Sequence, residues 1–386
     1  MSSPSFPSIN KITVLGSGVM GHGIAQVSAM AGYQVVLRDI EQSFLDKAME
    51  KIRWSLNKMV EKQKLTQEKA DEIFSRIKPV VDIKQALAGA DLLIEAVPED
   101  MNLKKKVYAE VDSNSDQKTL YASNTSTLPI TEMAALTSRP TRFIGLHFFN
   151  PPQLMPLVEV IPGSKTDPAM VDMAMEFCRK VGKQPVLCKK DVAGFIVNRV
   201  FIPLVHEAAY CMDRDNASMT QIDSAVKFRL SFPMGIFELA DYTGLDVIHK
   251  ATVEMHSRDS KVIYPHPRIK QLFEEKNLGQ KTGKGFYEYK GNKYERINLT
   301  EEQAATYDPT KLLAVAANNA AWLVTNGVCS REELEKALKL GMGLKKELFA
   351  TVQEFGPQNV VKALRELAAK YGSFYEPDPY LVNWRG

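Results

Sequence analysis

Short apolar runs alternate with longer amphipathic stretches through the first half of the chain. Each run has four to seven residues, the length of a typical strand, and the runs lie at 11–15, 34–38, 91–97, 118–122, 142–148, 157–161 and 185–188. Strand-like runs that alternate with helical segments are typical of a mostly parallel sheet with helices on both faces. The pattern therefore predicts an α/β domain over residues 1–188.

One stretch after the second run departs from this alternation. Residues 41–78 are charged and helix-prone, and their apolar members include Trp54, Leu56, Met59, Val60 and Leu65. The stretch is longer than the usual connection between two parallel strands. We expect it to form a pair of helices that projects from the sheet.

The residues after the last run have helical patterning to the end of the chain. Residues 207–230 align without gaps with residues 319–342, at an offset of 112 positions. We interpret this match as a duplicated helical unit, although two amphipathic helices can also match by chance. The predicted fold is therefore a doubly wound sheet followed by an all-α region in two copies, residues 189–290 and 301–386.

A glycine-rich segment, VLGSGVMGHGIA, connects the first run to a helical segment. Strand, tight turn and helix in this order are the context in which a GxGxxG pattern binds a dinucleotide. Gly16 permits the turn, Gly18 lets the backbone approach a diphosphate, and Gly21 lets the helix pack close to the sheet. Free N–H groups at the helix start then face the phosphates. This Rossmann-type pattern predicts cofactor binding by Gly16, Ser17, Gly18, Val19, Met20 and Gly21.

The second run ends in an acid that discriminates between the nicotinamide cofactors. Asp39 lies 23 residues beyond Gly16, where this fold places a carboxylate that accepts hydrogen bonds from the adenosine ribose. A carboxylate there repels the 2′-phosphate of NADP, so the predicted cofactor is NAD. The neighbouring Arg38 leaves NADP open, since an arginine at this position could hold the extra phosphate.

Composition mainly excludes other classes of protein. The 386 residues carry a formal charge of +3 and no concentrated stripe of Lys and Arg, so a nucleic acid is not an expected partner. No apolar stretch approaches the roughly 20 residues of a membrane span, and the start lacks the features of a signal peptide. We expect no metal site and a cytoplasmic protein with reduced thiols, because no metal or disulfide spacing links Cys178, Cys188, Cys211 and Cys329.

Four polar side chains lie where such sheets bind their ligands, namely Ser126, His147, Glu159 and Asn198. Oxidation of a secondary alcohol needs a base for the hydroxyl proton, and the ordinary pKa of histidine suits that role. Glu159 would fix the tautomer of His147, while Ser126 and Asn198 would hold the substrate oxygen. Each also has a structural interpretation: a core histidine, a solvent-facing strand carboxylate, a polar turn and a helix-bridging amide.

The segments together resemble the 3-hydroxyacyl-CoA dehydrogenase family, in order and spacing, over about residues 11–290. The resemblance rests on GSGVMGHGIA, Asp39, EAVPED, SNTS, HFFNP, LVEVI, GFIVNR, FPMGIFELADYTGLD and KTGKGFY. It implies the reversible NAD-dependent oxidation of an (S)-3-hydroxyacyl-CoA to the 3-ketoacyl-CoA. Because the chain has no room for a hydratase domain, a short-chain substrate such as 3-hydroxybutyryl-CoA is expected.

The resemblance also implies a role for each site residue. His147 would be the general base, Glu159 would orient it, and Ser126 and Asn198 would position the substrate. The further NAD contacts that it implies are Glu99, Lys104, Ser126, Asn150 and Lys281. Coenzyme A contacts fall on Ser55 and Lys62, which lie two helical turns apart and so share a face. A solvated, lysine-rich helix is the alternative for that pair.

The tail differs from short family members and resembles the duplicated C-terminal unit of larger fatty-acid-oxidation multienzymes. The catalytic amide is not repeated, since Asn198 corresponds to Thr310. Short members dimerise through their helical domain, so we expect a monomer, or a homodimer whose helical interface is rearranged. Two other functions stay open. One is an NAD-dependent dehydrogenase of a free hydroxy acid of the gulonate type, and the other is a non-catalytic protein that keeps the fold.

Overall fold

A computed structural model describes residues 8–290 and 296–384. The chain divides into two compact units, one ending at Asp191 and the other beginning at Val192. The boundary predicted at 188 therefore lies slightly early, and the two predicted helical domains belong to a single unit. Residues 1–7 of the first predicted domain, together with 291–295 and 385–386, lie outside the described residues.

The first unit is built on an eight-stranded sheet with the order β3-β2-β1-β4-β5-β6-β7-β8. The strands are β1 (Lys11–Leu15), β2 (Gln34–Arg38), β3 (Ile77–Val80), β4 (Leu92–Glu95), β5 (Leu120–Ser123), β6 (Phe143–Phe148), β7 (Leu157–Pro162) and β8 (Gln184–Leu187). Strands β1 to β6 pair in parallel, whereas β7 is antiparallel to β6 and parallel to β8. The order reverses between β1 and β4, where doubly wound sheets bind their ligands.

The helices of this unit begin at residues that suit helix starts. They are α1 (Val19–Met30), α2 (Gln42–Glu61), α3 (Gln67–Ser75), α4 (Ile83–Leu87), α5 (Met101–Asn114), α6 (Ile130–Ala135) and α7 (Pro168–Lys180). Asp100 caps α5 by accepting a hydrogen bond from the N–H of Leu103, and Asp167 caps α7 in the same way. Every residue of β4, β5 and β6 is buried, which is expected when helices cover both faces of a sheet.

The inserted stretch 41–78 forms the predicted pair of helices, α2 and α3, but the pair does not project from the sheet. Ile52 and Leu56 of α2 are buried in one apolar core with residues of β1 and β2. The end of the stretch is also corrected, because Ile77–Val80 is strand β3 and pairs along β2. This strand is short and contains Pro79, which sheets tolerate at an edge, so its sequence carries little strand signal.

The second unit is helical. Its described helices are α8 (Val197–Asp215), α9 (Met219–Arg229), α10 (Ile236–Thr243), α11 (Leu245–Arg258), α12 (Pro267–Glu274), α13 (Glu301–Ala305), α14 (Thr310–Thr325), α15 (Arg331–Met342), α16 (Leu348–Phe355), α17 (Pro357–Tyr371) and α18 (Pro379–Val382). Within the part of this unit that the structure describes, strand-type pairing is limited to isolated bridges from Lys284 to Gly279 and Glu288.

Helices α8 to α11 recur as α14 to α17 at the spacing found in the sequence. Helices α9 and α15 both begin with a capping box, at Ser218 and at Ser330. A glycine with positive φ ends the next helix in each copy, with φ of 102° at Gly244 and 84° at Gly356. Equivalent positions therefore have equivalent backbone roles in the two copies.

A buried carboxylate also caps the same helix in both copies. Asp223 accepts hydrogen bonds from two backbone N–H groups in the first turn of α10, at 2.9 and 3.1 Å. Glu335, at the equivalent position, accepts two from the first turn of α16, at 2.8 and 2.9 Å. Burial raises the pKa of Asp223 to about 7 and also raises the pKa of Glu335, against the hydrogen bonds that lower both. The shared cap supports the interpretation as a duplication.

The two copies meet in a buried polar cluster. Glu207 on α8 is 1% exposed and accepts hydrogen bonds from the Tyr375 hydroxyl at 2.6 Å and from Arg214 at 3.0 Å. The Arg214 guanidinium lies 3.7 Å from the centre of the Tyr371 ring. Burial raises the pKa of Glu207 to about 7, although Tyr375 and Arg214 act in the opposite direction. The second copy is thus packed into the helical unit through ionisable groups as well as apolar ones.

The four cysteines, Cys178, Cys188, Cys211 and Cys329, are buried, and none of them forms a disulfide. Burial raises the pKa of the Cys178 and Cys211 thiols well above the ordinary value. These two thiols therefore stay protonated and unreactive near neutral pH. Separately, none of the described helices combines the length and the apolar character needed to cross a bilayer.

Candidate active site

The glycine-rich segment forms the turn from β1 into α1. Gly16 has a φ of +89°, and a Cβ there would lie 2.6 Å from the carbonyl oxygen of Ala96. A Cβ on Gly21 would lie 1.7 Å from the carbonyl oxygen of Gly16, whereas one on Gly18 would meet nothing within 4 Å. Packing of the protein alone therefore requires glycine at two positions. The third borders open space at a helix N-terminus, and this arrangement fits a dinucleotide diphosphate.

Asp39 is fixed beside this turn. Its Oδ2 accepts hydrogen bonds from the backbone N–H and the hydroxyl of Ser17, both at 2.7 Å, and its Oδ1 accepts one from the N–H of Ile40 at 2.7 Å. A carboxylate accepts about four hydrogen bonds, so capacity remains for a ribose hydroxyl. The Arg38 Nε donates to the carbonyl oxygen of Val81 at 3.1 Å, which ties this side chain to the residue after β3.

Strands β6 and β7 bring His147 and Glu159 together. The two residues are directly opposite in the antiparallel register, and His147 Nδ1 lies 2.6 Å from Glu159 Oε2. Glu159 is fully buried and His147 is 6% exposed, with the Phe149 ring centre 4.5 Å from the imidazole centre. Because Nδ1 is committed to the carboxylate, proton exchange with a substrate has to use Nε2. This geometry is that of a histidine base held by an acid.

The SNTST loop after β5 is fastened by one carboxylate. Glu99 Oε1 accepts hydrogen bonds from the Thr125 hydroxyl at 2.6 Å, from the Ser126 N–H at 2.8 Å and from the Ser126 hydroxyl at 3.1 Å. Burial opposes ionisation of Glu99, but the charge of Lys104 and these hydrogen bonds lower the pKa of Glu99 below its ordinary value. Two of the predicted NAD contacts, Glu99 and Ser126, are therefore in direct contact.

The same loop is tied to the histidine strand. Asn124 Oδ1 accepts a hydrogen bond from the N–H of Phe148 at 2.9 Å, one residue beyond His147. Since β5 and β6 are parallel, Ser126 and His147 lie at the same carboxyl edge of the sheet. Asn124 is not among the predicted site residues, because its only signal in the sequence is a polar residue directly after a buried strand.

Lys104 lies in a buried cluster with Glu95 and Glu99, of which only Lys104 and Glu99 are among the predicted site residues. Its ammonium Nζ is 2.7 and 2.8 Å from the two carboxylate oxygens of Glu95 and 3.2 Å from Glu99 Oε2. Glu95 was not predicted, although it stands inside the apolar run DLLIEAV. A carboxylate inside an apolar run is the signal that singled out Glu159 in LVEVI.

The remaining predicted contacts lie in different parts of the fold. Asn150 is exposed, two residues after β6. Asn198 and Lys281 belong to the helical unit, where Asn198 is the half-buried second residue of α8 and Lys281 forms an ion pair with Asp246. The roles assigned to these three residues stay predictions.

The predicted coenzyme A contacts on α2 have distinct surroundings. The Ser55 hydroxyl accepts a hydrogen bond from Gln26 of α1 at 3.0 Å. Ser55 therefore lies on the side of α2 that faces α1, the helix that follows the glycine-rich turn. Lys62 is exposed directly after the last residue of α2. The nearby Lys58 pairs with Glu61 at 2.5 Å, so the charge of Lys58 is partly balanced within α2. Lys62 is therefore the cation of this set that best suits an anionic ligand.

Two family models match most of the chain. The model described as 3-hydroxyacyl-CoA dehydrogenase, NAD binding domain, matches residues 11–192. The model described as 3-hydroxyacyl-CoA dehydrogenase, C-terminal domain, matches residues 194–289. Together the matched ranges contain every residue predicted for the site.

Individual proteins are similar over the same region. Hydroxyacyl-coenzyme A dehydrogenase, mitochondrial, of Rattus norvegicus is 40% identical over 289 residues, covering 73% of this chain and 92% of that protein. The 3-hydroxybutyryl-CoA dehydrogenase of Bradyrhizobium diazoefficiens is 40% identical and covers 74% and 97%. The crystal structure of 3-hydroxybutyryl-CoA dehydrogenase from Escherichia coli is 28% identical, with a TM-score of 0.87 and 98% coverage of both chains. This last similarity extends through the second helical copy.

Substitution of Gly18 by alanine should impair cofactor binding without impairing folding. The new Cβ has open space and Gly18 has a φ of −59°, so the cofactor-free protein should lose only the roughly 0.5 to 1 kcal/mol that alanine costs at a helix N-cap. NADH affinity should fall at least about tenfold, because the methyl group enters the space where the backbone approaches a diphosphate. Chemical denaturation and fluorescence titration with NADH measure the two effects.

Gly21→Ala is the matched control for this pair of measurements. Its Cβ overlaps the Gly16 carbonyl oxygen, so the cofactor-free protein itself should lose about 1 to 3 kcal/mol of stability. The assignment of Gly18 to the cofactor is contradicted if the two substitutions destabilise the protein equally and Gly18→Ala binds NADH as tightly as Gly21→Ala does.

Proposed function

The chain belongs to the 3-hydroxyacyl-CoA dehydrogenase family, and from that membership we propose that it oxidises an (S)-3-hydroxyacyl-CoA to the 3-ketoacyl-CoA at the His147–Glu159 pair. Its cofactor is NAD, in keeping with the NAD-binding domain that spans residues 11–192. The observation that carries the proposal is the 2.6 Å contact between His147 Nδ1 and Glu159 Oε2 on opposed strands.

The proposed mechanism uses the two ring nitrogens of His147 for different tasks. Nδ1–H donates to the Glu159 carboxylate, which leaves Nε2 as the basic atom that takes the proton of the substrate hydroxyl. The imidazolium formed in this way is stabilised by the adjacent carboxylate in a buried setting, where charge–charge interactions are strong. In the reverse direction the same Nε2 returns the proton to the oxygen of the 3-keto group.

The other residues hold the reactants. When bound, NAD supplies the nicotinamide ring that accepts the hydride. The residues that would hold it are Gly16 to Gly21 and Asp39, with Glu99, Lys104, Ser126, Asn150 and Lys281 completing the set. The Ser126 hydroxyl and the Asn198 amide would bind the substrate oxygen, so that charge developing on it meets fixed dipoles.

The proposed substrate is a short-chain acyl-CoA. Two of the relatives described above, from Bradyrhizobium diazoefficiens and Escherichia coli, are named 3-hydroxybutyryl-CoA dehydrogenases. Ser55 and Lys62 on the α2 face would contact the coenzyme A portion, with the exposed ammonium of Lys62 near its phosphates. The alternative substrate, a free hydroxy acid of the gulonate type, has no coenzyme A portion that could contact this helix.

We also propose that the second helical copy takes the place that a partner subunit's helical domain holds in short family members. The buried cluster of Glu207, Arg214 and Tyr375, which joins the copies, supports this role. The proposed compartment is the cytoplasm. Four buried thiols outside any disulfide are compatible with a reducing environment, and the relatives named mitochondrial make the mitochondrion the alternative.

His147→Ala should remove the base and spare the cofactor site. We expect kcat for NADH oxidation with acetoacetyl-CoA to fall about 10²- to 10⁴-fold, while NADH affinity measured by fluorescence stays near that of the unsubstituted chain. Glu159→Gln, which keeps the size of the side chain and removes its charge, should also lower kcat. A His256→Ala control should retain activity, since this histidine lies on α11 and bonds to a backbone carbonyl.

The same spectrophotometric assay tests the substrate class. Acetoacetyl-CoA, longer 3-ketoacyl-CoAs and free acetoacetate are compared side by side. The proposal predicts the highest kcat/KM with acetoacetyl-CoA. Equal turnover of free acetoacetate, or no turnover of any CoA ester by a chain that binds NADH, counts against it and favours one of the two alternative functions.

Lys62→Glu should affect only substrates that carry coenzyme A. Reversal of this charge should raise the KM for acetoacetyl-CoA about tenfold, equivalent to about 1.4 kcal/mol, with little change in kcat. Lys47→Glu makes the same charge change at an exposed position near the other end of α2 and should leave the KM unchanged. If both variants raise the KM equally, a general effect of surface charge explains the result, and the proposed contact between Lys62 and coenzyme A is wrong.

Sedimentation velocity of the full chain tests the role of the second copy. A monomer of 43.2 kDa is expected at micromolar concentration. A homodimer that protects α8 and α11 from hydrogen exchange, while α14 to α17 exchange as in a monomer, contradicts the substitution of the second copy for a partner.

A further inference from the structure

A cluster of three ionisable groups is buried in the NAD-binding unit next to the SNTST loop. Lys104 is 1% exposed, and its ammonium contacts both oxygens of Glu95 and one oxygen of Glu99. An ammonium group has three donors. The three contacts match these donors, so the position and the charge of Lys104 are set by two carboxyl groups.

Glu95 is the more firmly held of the two carboxyl groups. It is fully buried at the last position of β4, and it accepts hydrogen bonds from the Val97 N–H at 2.8 Å, the Ser123 hydroxyl at 2.6 Å and the Tyr108 hydroxyl at 3.1 Å. These donors come from the turn after β4, from β5 and from α5. Hydrogen bonds from three structural elements therefore fix the Glu95 carboxylate, whereas Glu99 lies on a loop.

The contacts continue from this cluster to the site. Glu99 contacts Lys104 through Oε2, and its other oxygen accepts the hydrogen bonds of Thr125 and Ser126. A path of direct polar contacts thus runs from Glu95 through Lys104 and Glu99 to Ser126. Each contact on this path is 3.2 Å or shorter.

We propose that Glu95 is a positioning residue of the dehydrogenase. It holds Lys104 in the charged form between two carboxylates, and Lys104 in turn holds Glu99 against the loop that presents Ser126. The inference rests on the proposed function, since Glu99 and Ser126 are assigned to the cofactor and the substrate there. Glu95 itself touches neither reactant in this assignment.

Charge makes the proposal testable. Burial disfavours the ammonium form of Lys104, but the charge of Glu95 and then that of Glu99 outweigh burial and raise the pKa of Lys104 above its ordinary value. Tyr108 is a further titratable group that contacts the cluster, and burial and the Glu95 charge raise the pKa of Tyr108 far above the ordinary value. Neutralisation of Glu95 therefore leaves burial opposed mainly by Glu99, and the pKa of Lys104 should fall.

Glu95→Gln is the central variant, because glutamine keeps the shape and an acceptor oxygen for Ser123 and Tyr108. NADH affinity and kcat/KM for acetoacetyl-CoA are followed from about pH 6 to about pH 10. Near pH 6 both should stay within about threefold of the unsubstituted protein. On the alkaline side both should fall as Lys104 loses its proton, at a lower pH than in the unsubstituted protein. Glu95→Asp, which restores the charge, should recover part of the alkaline activity.

Two control variants separate this effect from a loss of packing. Tyr108→Phe removes a neutral hydrogen bond to the same carboxylate and should leave the alkaline midpoint unmoved. Asp112→Asn removes another carboxylate of α5, the helix that carries Lys104, but Asp112 pairs with Arg139 instead, and the variant should also leave the midpoint unmoved.

The outcomes distinguish this inference from the proposed function. The inference is overturned if Glu95→Gln has the pH profile of the unsubstituted protein, or if its affinity falls equally at every pH together with its thermal stability. If the unsubstituted protein does not turn over acyl-CoA, the proposed substrate fails, while the pH profile of NADH affinity still tests the role of Glu95.

Discussion

The antiparallel pairing of β7 with β6 is the constraint on which the site depends. It places a carboxylate from one strand directly opposite an imidazole from its neighbour, at the edge where the parallel strands end. A buried carboxylate is costly unless its charge is met by hydrogen-bond donors or a cation. The imidazole meets that requirement at 2.6 Å, so one contact satisfies the demands of burial and those of the proposed base catalysis.

Most of the sheet could be predicted from the sequence because seven of its strands are continuous apolar runs between polar stretches, as buried parallel strands must be. Strand β3 lacked that signal, since it is a four-residue edge strand interrupted by Pro79. Because β3 has no clear signal in the sequence, the expectation that the helices of residues 41–78 project from the sheet was also wrong. The sequence shows no edge strand after the two inserted helices, which favoured a pair that projects from the sheet. In the structure Ile52 and Leu56 are buried in the same apolar core as β1 and β2.

The site divides in a similar way between local and non-local information. The turn at Gly16 to Gly21 and the acid at Asp39 are set by local backbone geometry, and local sequence encodes them. Pairing of His147 with Glu159 required the strand register, which the sequence suggested only through a carboxylate in an apolar run. Asn124 and Glu95 gain their roles from contacts to other elements, with Phe148 and Lys104. Such contacts depend on the assembled sheet and leave little trace in residue spacing.

The duplicated helical unit also offers an internal comparison of two sets of demands on one architecture. The capping serines, the positive-φ glycines and the buried acids at Asp223 and Glu335 occur in both copies, so they mark what the helices need in order to form and pack. Asn198 has only a threonine as its counterpart, Thr310. The second copy thus keeps the positions that the architecture requires and lacks the amide to which the proposed chemistry assigns a role.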